Sequence, residues 1–169
     1  MALDPARLRD VMRRVPQPVV VVTVRAGDEV RGMTAASFTS VAFAPPLISI
    51  DVKTGARTHR LISEAGAFSV NILAHDQGHL AERFARPDLE GAEQFAEVPH
   101  IAPDGAAPLI EGAVGYLRCR VTAGYPGGDH TIFVGEVECA EVGRDAPPLI
   151  FVARDYHTTG GRVPGRGHG

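Results

Sequence analysis

The spacing of apolar and polar positions along the chain predicts a short N-terminal helix followed mostly by strands. Between 3 and 16 the apolar positions recur every three or four residues, and Asp4 followed by Pro5 is typical of a first helical turn. The shared apolar face consists of Leu8, Val11, Met12 and Val15. Prolines at 16 and 18 are expected to end this helix.

A hairpin and several further strands are predicted after this helix. Two apolar or β-branched segments within 19–38 flank the turn signal Ala26-Gly27-Asp28. Apolar runs predict other strands at 45–52, 67–73, 115–125, 130–142 and 148–156. Within one of them, Leu117, Cys119 and Val121 alternate with arginines. One face of that strand is therefore expected to be buried and the other exposed to solvent, which favours antiparallel pairing.

Short helices are predicted between the strands. One covers 56–66, with Leu61 and Ile62 facing the core and Gly66 as its end, and another covers 75–85, capped near Asp76. Between 86 and 108, many breakers and little periodicity predict a long surface excursion, a feature that is often functional in a compact domain. The pattern as a whole predicts a mainly β fold, a barrel or sandwich with helical caps.

Composition narrows the class of protein. With 169 residues, 44% of them hydrophobic, the chain is long enough for one compact domain, predicted at 1–157 with a flexible tail at 158–169. The net charge of -3 argues against a nucleic-acid partner, because phosphate binding needs clustered Lys and Arg. No signal-peptide core or bilayer-length apolar run is present, so no membrane contact and a cytoplasmic location are expected. Cys119 and Cys139 are expected to be free thiols.

Two stretches carry candidate binding chemistry. The chain has neither G-x-x-x-x-G-K-[ST] nor G-x-G-x-x-G after a strand, so a nucleotide would have to bind by other means. The stretch 32–59 is densest in small and hydroxyl residues and can lie flat against a planar ligand, or it is a strand and polar loop with nothing bound. Lys53, Arg57 and Thr58 gather at a predicted helix start, which either binds an anion or is a solvated helix end.

Histidines provide the remaining candidates. In GGDHTIFVGEVE, His130 stands between a turn and a strand, where it makes a functional hydrogen bond or is a turn residue paired with Asp129. His75 and His79 lie four apart, but the glutamate of H-E-x-x-H and a third ligand are missing, so no metal site is expected. No nucleophile elbow is present, which leaves covalent hydrolytic catalysis without support.

Six segments carry a resemblance to a known family in both content and order. They are PVVVVTV, GMTAASFTSVAFAPPLISIDV, FSVNIL, ERFA, GDHTIFVGEV and PLIFVARDY. From Leu8 to Tyr156 the chain resembles the flavin reductase family with the FMN-binding split-barrel fold, the reductase components of two-component flavin monooxygenases. The resemblance implies an antiparallel split β-barrel of Greek-key type, a homodimer, and a flavin at the barrel edge.

The same resemblance implies roles for individual residues. The flavin ring and ribityl chain would contact Thr34, Ala35, Ala36, Ser37, Ser40 and Val41, and the wall would continue through Asp51, Val52 and Lys53. Arg57 and Thr58 would bind the phosphate, and Phe84 would cover the flavin. The nicotinamide would meet Gly128, Asp129, His130 and Tyr156. His130 would be the catalytic residue, holding the nicotinamide C4 over the flavin N5.

The activity implied by the resemblance is NAD(P)H-dependent reduction of FMN, with FAD and riboflavin as other acceptors, and delivery of the reduced flavin to a separate monooxygenase. Three alternatives stay open: an oxidase with tightly bound FMN, a metal-corrin reductase, and a non-catalytic flavin-binding protein. The intact Gly-Asp-His sequence argues against the last. Ala36 stands where the family often has Asn, which removes a polar contact to the flavin. His157 stands where Arg is common, so the choice between NADH and NADPH is open.

Overall fold

Seven antiparallel strands form the main sheet of the computed structural model, which describes residues 3–160. Their order is β3-β2-β6-β9-β10-β5-β4, and β1-β11-β12 and β7-β8 form two smaller sheets. The strands are β1 Gln17–Pro18, β2 Val20–Ala26, β3 Glu29–Ala35, β4 Thr39–Phe43, β5 Pro46–Lys53, β6 Ala67–Ile72, β7 His100–Ile101, β8 Leu109–Ile110, β9 Gly115–Gly127, β10 His130–Val142, β11 Leu149–Val152 and β12 Asp155–Thr158. The helices are α1 Pro5–Met12, α2 Arg57–Ala65, α3 Gly78–Ala85 and α4 Gly91–Phe95, with a 3-10 turn at Pro103–Gly105.

The main sheet closes into a barrel through a short connector. Strands β3 and β4 lie at opposite edges of the sheet, yet only residues 36–38 separate them in sequence. Four steps along an extended chain span at most about 14 Å, so the two edges must lie close together. The mainly β fold with short helices that the sequence predicts is confirmed, as is the hairpin of β2 and β3.

Strand β2 is buried on both faces, which explains its unbroken run of valines. Val20, Val22 and Val24 face the barrel interior, where they pack with residues of β5, β6 and α2. Val21 faces the other way and joins Val19 in a second apolar cluster with α3 and α4. Because neither face meets water, the strand needs no polar alternation.

The first two helices form where the sequence predicts them. The Asp4 carboxylate accepts a hydrogen bond from the backbone N–H of Ala6 at 2.9 Å, which caps α1. Gly66 ends α2 in the left-handed conformation, with φ of 64°, and Leu61 and Ile62 are buried. Helix α1 is shorter than predicted, ending at Met12, and it buries none of its residues in the described chain.

The prediction for the start of α3 is wrong. The residue that precedes the helix is Gln77, whereas Asp76 forms an ion pair with Arg144. That ion pair holds the pKa of Asp76 below its usual range. His75 therefore lies before the helix, and it does not share a helical face with His79.

The predicted surface excursion at 86–108 is wrong over part of its length. It contains α4, and the side chains of Gln94, Phe95 and Val98 are buried. The Gln94 Oε1 atom accepts a hydrogen bond from the backbone N–H of Gly32 at 3.0 Å, which ties the segment to β3. The buried apolar residues of this segment are isolated among helix- and strand-breaking residues, so their spacing along the sequence shows no helical or strand periodicity.

The predicted strand at 148–156 is two strands. A turn at Ala153 and Arg154, with φ of 54° and 72°, reverses the chain between β11 and β12. Thr158 is the last residue of β12 and donates a hydrogen bond to the Pro148 carbonyl at 3.1 Å. The domain limit at 157 and the flexible tail stay predictions, and most of the tail lies outside the described residues.

Both cysteines are free thiols, as predicted. Burial raises the pKa of the Cys119 thiol from an ordinary value near 9.0 to about 12. A thiol reagent at pH 8 is therefore expected to modify Cys139, which is partly exposed, and to reach Cys119 only after denaturation. Counting modified thiols in native and denatured protein checks this, and rapid reaction of two thiols in the native state would contradict it.

The raised pKa of the Cys119 thiol also determines the direction in which the free energy of unfolding changes with pH. The unfolded thiol loses its proton above about pH 9.0, while the folded thiol keeps it, so the unfolded state gains stability as the pH rises. The contribution of Cys119 is fully present below about pH 9.0 and declines as the pH approaches 12. Cys119→Ala should lack this alkaline component in urea titrations at successive pH values.

The described residues hold no helix that is both long and apolar enough to cross a bilayer. Within 3–160 there is also no group of three or more His, Cys, Asp or Glu side chains placed to hold a metal ion.

Candidate functional site

A cavity of about 520 Å³ opens at the barrel edge, where the end of β3 faces β5 and β10. We call it the main cavity. Its lining residues are Gln17, Met33, Thr34, Ala35, Ala36, Ser37, Asp51, Lys53, Gly127, His130 and Ile132. Seven of them are residues that the resemblance implies for flavin or nicotinamide binding.

Strand register brings residues from two distant parts of the sequence to this cavity. In the antiparallel pair β5 and β10, His130 lies opposite Lys53, and Ile132 lies opposite Asp51. Side chains two apart on a strand point to the same face, so all four face the cavity together. A cation, a carboxylate, an imidazole and an apolar side chain therefore form one wall.

The intervening residues of the same strands point into the barrel. Val52 lies opposite Thr131 and is fully buried in the barrel core. On this inner face, His59 Nε2 lies 2.8 Å from the Thr131 hydroxyl and links α2 to β10. The implied role of the Val52 side chain in the flavin wall is not supported, because the pleat turns it away from the cavity.

The connector at 36–38 forms the opposite wall and is held by one side chain. The Ser37 hydroxyl accepts from the Asp51 backbone N–H at 3.0 Å and donates to the Asp51 carbonyl oxygen at 3.2 Å. Within the described chain, the backbone N–H groups of Ala36 and Ser37 donate to no protein acceptor. Because Ala36 and Ser37 line the main cavity, these two donors are candidates to bind a ligand there.

Ser37→Ala is expected to weaken flavin binding, because the connector loses its attachment to β5. A neutral hydrogen bond contributes about 1 kcal/mol, so the flavin dissociation constant should rise roughly fivefold. Flavin fluorescence titration measures it. Thr39→Ala is the matched control, since Thr39 is exposed on β4 and does not line the cavity. Equal effects of the two substitutions would show that the Ser37 contacts do not position the connector.

His130 is both paired and open to the cavity. Its Nδ1 atom lies 2.8 Å from Asp129 Oδ1, and 42% of its side chain is exposed. The hydrogen bond from His130 holds the pKa of the Asp129 carboxyl below its usual range. A carboxylate at Nδ1 favours the tautomer with its proton there, which leaves Nε2 as the acceptor. His130 thus pairs with Asp129 and also lines the main cavity, and its functional role stays a prediction.

Tyr156 lines a smaller cavity of about 170 Å³ on the other side of the same segment. We call it the small cavity. Thr34, Ala35 and Ala36 line both the small cavity and the main cavity. The Tyr156 ring packs edge-on against Phe151, with ring centroids 5.5 Å apart. The structure thus does not bring Tyr156 and His130 into one cavity, in contrast to the arrangement that the resemblance implies.

Other residues implied by the resemblance line neither cavity. Ser40 and Val41 are exposed on β4, and Gly128 and Asp129 form the turn before β10, where Gly128 has a φ of 67°. Phe84 is buried in the second apolar cluster, 2% exposed, and cannot cover a ligand in the main cavity from there.

The predicted phosphate residues are also engaged elsewhere. Arg57 forms ion pairs with Glu29 and Glu90, and Thr58 is buried in the described structure. Arg60 donates to the same Glu29 at 2.7 Å. The hydrogen bonds from Arg60 and Arg57 lower the pKa of Glu29, so this carboxylate stays ionised and offsets the positive charge. A phosphate at Arg57 would have to share the guanidinium with these two carboxylates.

Sequence reasoning missed four residues of the main cavity: Gln17, Met33, Gly127 and Ile132. For two of them a signal exists, because Ile132 is two positions from His130 and Met33 is two positions from Ala35. Gly127 lies opposite His130 across the β9-β10 hairpin. Gln17 carries no sequence signal, since it reaches the cavity from a separate sheet.

An antiparallel barrel with an open cavity at its edge, lined by small residues and free backbone donors, defines a class of proteins that bind a planar ligand beside the sheet. The cavity volume lies within the roughly 300–1,000 Å³ typical of small-molecule sites. Comparison with known proteins narrows this class.

The model of the flavin reductase like domain matches residues 12–160. The 4-hydroxyphenylacetate 3-monooxygenase reductase component of Thermus thermophilus is 39% identical over 148 residues, covering 88% of this chain and 92% of that protein. The NADH-dependent FAD reductase of Streptomyces globisporus is 45% identical over 138 residues, covering 79% of this chain and 74% of that protein.

Solved structures agree with these relatives. The Streptomyces globisporus NADH:FAD oxidoreductase SgcE6, in complex with NAD and FAD fragments, has a TM-score of 0.86 at 38% identity and covers 95% of this chain and 97% of that chain. BorF, the flavin reductase component of a bacterial two-component tryptophan halogenase, has a TM-score of 0.86 at 35% identity, covering 94% and 100% of the two chains. The chain belongs to the flavin reductase family and has its split-barrel fold.

Proposed function

We propose that this protein is an NAD(P)H-dependent flavin reductase that reduces FMN, FAD or riboflavin and supplies the reduced flavin to a separate monooxygenase. The observation that carries the proposal is the juxtaposition of His130 with the small-residue wall from Thr34 to Ser37 in one open cavity. The activities for which relatives are named, NADH-dependent reduction of flavins and service as reductase components, support it.

The main cavity fits a flavin in both shape and donor chemistry. Ala35 and Ala36 leave a flat wall that a planar ring system can approach closely, and Ala36 and Ser37 present backbone N–H groups. When bound, the flavin accepts hydride from the reduced nicotinamide, and the chemistry of that transfer belongs to the two cofactors. The N–H groups and the Lys53 ammonium favour the negative charge that accumulates beside this wall.

The proposed role of His130 is to position the nicotinamide. The Asp129 carboxylate fixes the imidazole orientation through Nδ1, and the short turn that carries both residues is closed by β9 and β10. The other ring nitrogen is then available to a nicotinamide amide that enters above the flavin wall. Placement of the reacting atoms at about 3–3.5 Å is a large contribution that a protein can make to such a transfer.

Two assembly statements belong to the same proposal. We propose a homodimer in the cytoplasm, and a flavin that diffuses in and out rather than staying permanently bound. The open mouth of the main cavity beside Lys53 and Ser37 supports exchange of the ligand with solvent. Sedimentation at several protein concentrations tests the dimer, and a mass of one chain at all of them would contradict it.

The activity is tested by following the absorbance of NADH and of NADPH with FMN, FAD and riboflavin as acceptors. Oxidation that depends on added flavin, by a protein that loses its flavin on desalting, is the expected result. Flavin that survives desalting would favour the tightly bound oxidase or metal-corrin reductase instead. Flavin binding without turnover with either nucleotide would reject the reductase and leave a flavin-binding protein.

A further inference from the structure

A third cavity, of about 330 Å³, lies between α1 and the turn that joins β11 to β12. We call it the arginine cavity, because Arg9, Arg13 and Arg154 line it. Its apolar lining includes Met12, Val15 and Phe151. Gln17 belongs to the lining of both this cavity and the main cavity, so the two are neighbours.

The positive charge of the arginine cavity is only partly offset. Arg13 pairs with Asp10 at 2.8 Å, whereas Arg9 and Arg154 have no carboxylate partner among the described residues. Arginine near the C-terminus of a helix is expected from the helix dipole, which accounts for Arg9 and Arg13. Arg154 belongs to a different element, so the dipole of α1 does not explain its place.

The turn that carries Arg154 has a rare backbone conformation. Ala153 and Arg154 are consecutive non-glycine residues at positive φ, a conformation that residues with a Cβ atom rarely adopt. The backbone N–H of Ala153 donates to the Arg13 carbonyl at 2.8 Å, which fixes the turn against the end of α1. The turn thus holds a third guanidinium beside the two of the helix.

We propose that the arginine cavity binds the adenosine diphosphate half of a dinucleotide whose redox-active ring occupies the main cavity. Guanidinium groups bind phosphate through paired hydrogen bonds and stack on flat rings, and the apolar side chains offer a surface for adenine. The shared wall at Gln17 allows one ligand to reach both cavities. This inference rests on the proposed function, and FAD and the reduced nicotinamide dinucleotide both carry the required group.

Titration of the full chain with ADP, followed by calorimetry at low salt, tests the site without any turnover. The double variant Arg9→Gln, Arg154→Gln should bind ADP at least tenfold more weakly than the unsubstituted protein. Arg7→Gln is the matched control, because Arg7 is exposed on the same helix and does not line the cavity. Absence of saturable ADP binding, or equal affinity in the double variant, would overturn the proposal.

Kinetics of the double variant identify the source of the ADP group. A rise in KM for FAD, with KM for FMN unchanged, assigns the site to FAD. A rise in KM for the nicotinamide dinucleotide, with FMN as acceptor, assigns it to that substrate. Unchanged KM values in an active double variant would overturn the proposal. Absence of turnover in the unsubstituted protein would instead reject the proposed function, and the ADP titration would still decide the cavity.

Discussion

Replacing His130 with alanine is expected to lower kcat/KM for flavin-dependent oxidation of the reduced nicotinamide by at least tenfold. The imidazole lines the main cavity and is oriented by Asp129, so its loss would remove the contact that we propose to position the nicotinamide. A tenfold loss corresponds to about 1.4 kcal/mol of transition-state stabilisation. The measurement is the initial rate of loss of the reduced-nicotinamide absorbance at several concentrations of both substrates.

His79→Ala is the matched control for this substitution, because His79 lies on α3 and lines none of the three cavities. Asp129→Asn separates orientation from direct contact: it should give a smaller loss, since the imidazole remains while its carboxylate partner is gone. Flavin affinity should be nearly unchanged in all three variants. An unaltered kcat/KM in the His130 variant would reject its role and leave it a turn residue paired with Asp129.

Phe84→Ala is expected to lower the free energy of unfolding by about 3–5 kcal/mol, the usual cost of removing a buried phenyl group. The ring packs edge-on against Phe95 with centroids 5.1 Å apart, and a Cβ placed on Gly32 would overlap it. Removing it would leave a cavity between β3 and the two helices α3 and α4. Urea denaturation measures the change.

Phe43→Ala is the matched control, because Phe43 is 91% exposed and its substitution should change stability by less than about 0.5 kcal/mol. The pair also tests the role that the resemblance implies for Phe84. If Phe84 is only a core residue, Phe84→Ala should lower the stability and leave the flavin affinity per folded molecule nearly unchanged. Normal stability with strongly weakened flavin binding would show that the ring covers the flavin.

The barrel brings chemistry together through register rather than through motifs. His130 and Lys53 are distant in sequence but directly opposite on β10 and β5, and Ser37 fastens the connector to β5 from the other side. Strands β5 and β10 together form one wall of the main cavity, and the connector at 36–38 forms the opposite wall. The same arrangement explains why the site can be open to solvent while its walls remain fixed.

Local pattern was sufficient for most elements of the fold. The hairpin at Gly27, the end of α2 at Gly66 and the start of β10 at His130 all follow from turn residues and apolar spacing. Pattern was insufficient at 86–108 and at the β11-β12 turn. In the first, isolated buried residues carry the packing, and in the second the left-handed turn is made by Ala153 and Arg154, which carry no turn signal.

The sequence by itself determined the strand-rich class, the order of its elements and the family, because these depend on local periodicity and on residue identity. The tertiary structure decided which side chains share a cavity. It placed Val52 and Phe84 in the core, Arg57 among carboxylates, and His130 and Tyr156 in separate cavities. A strand alternates between two faces, and only pairing between residues far apart in sequence determines which face meets the core and which meets a ligand.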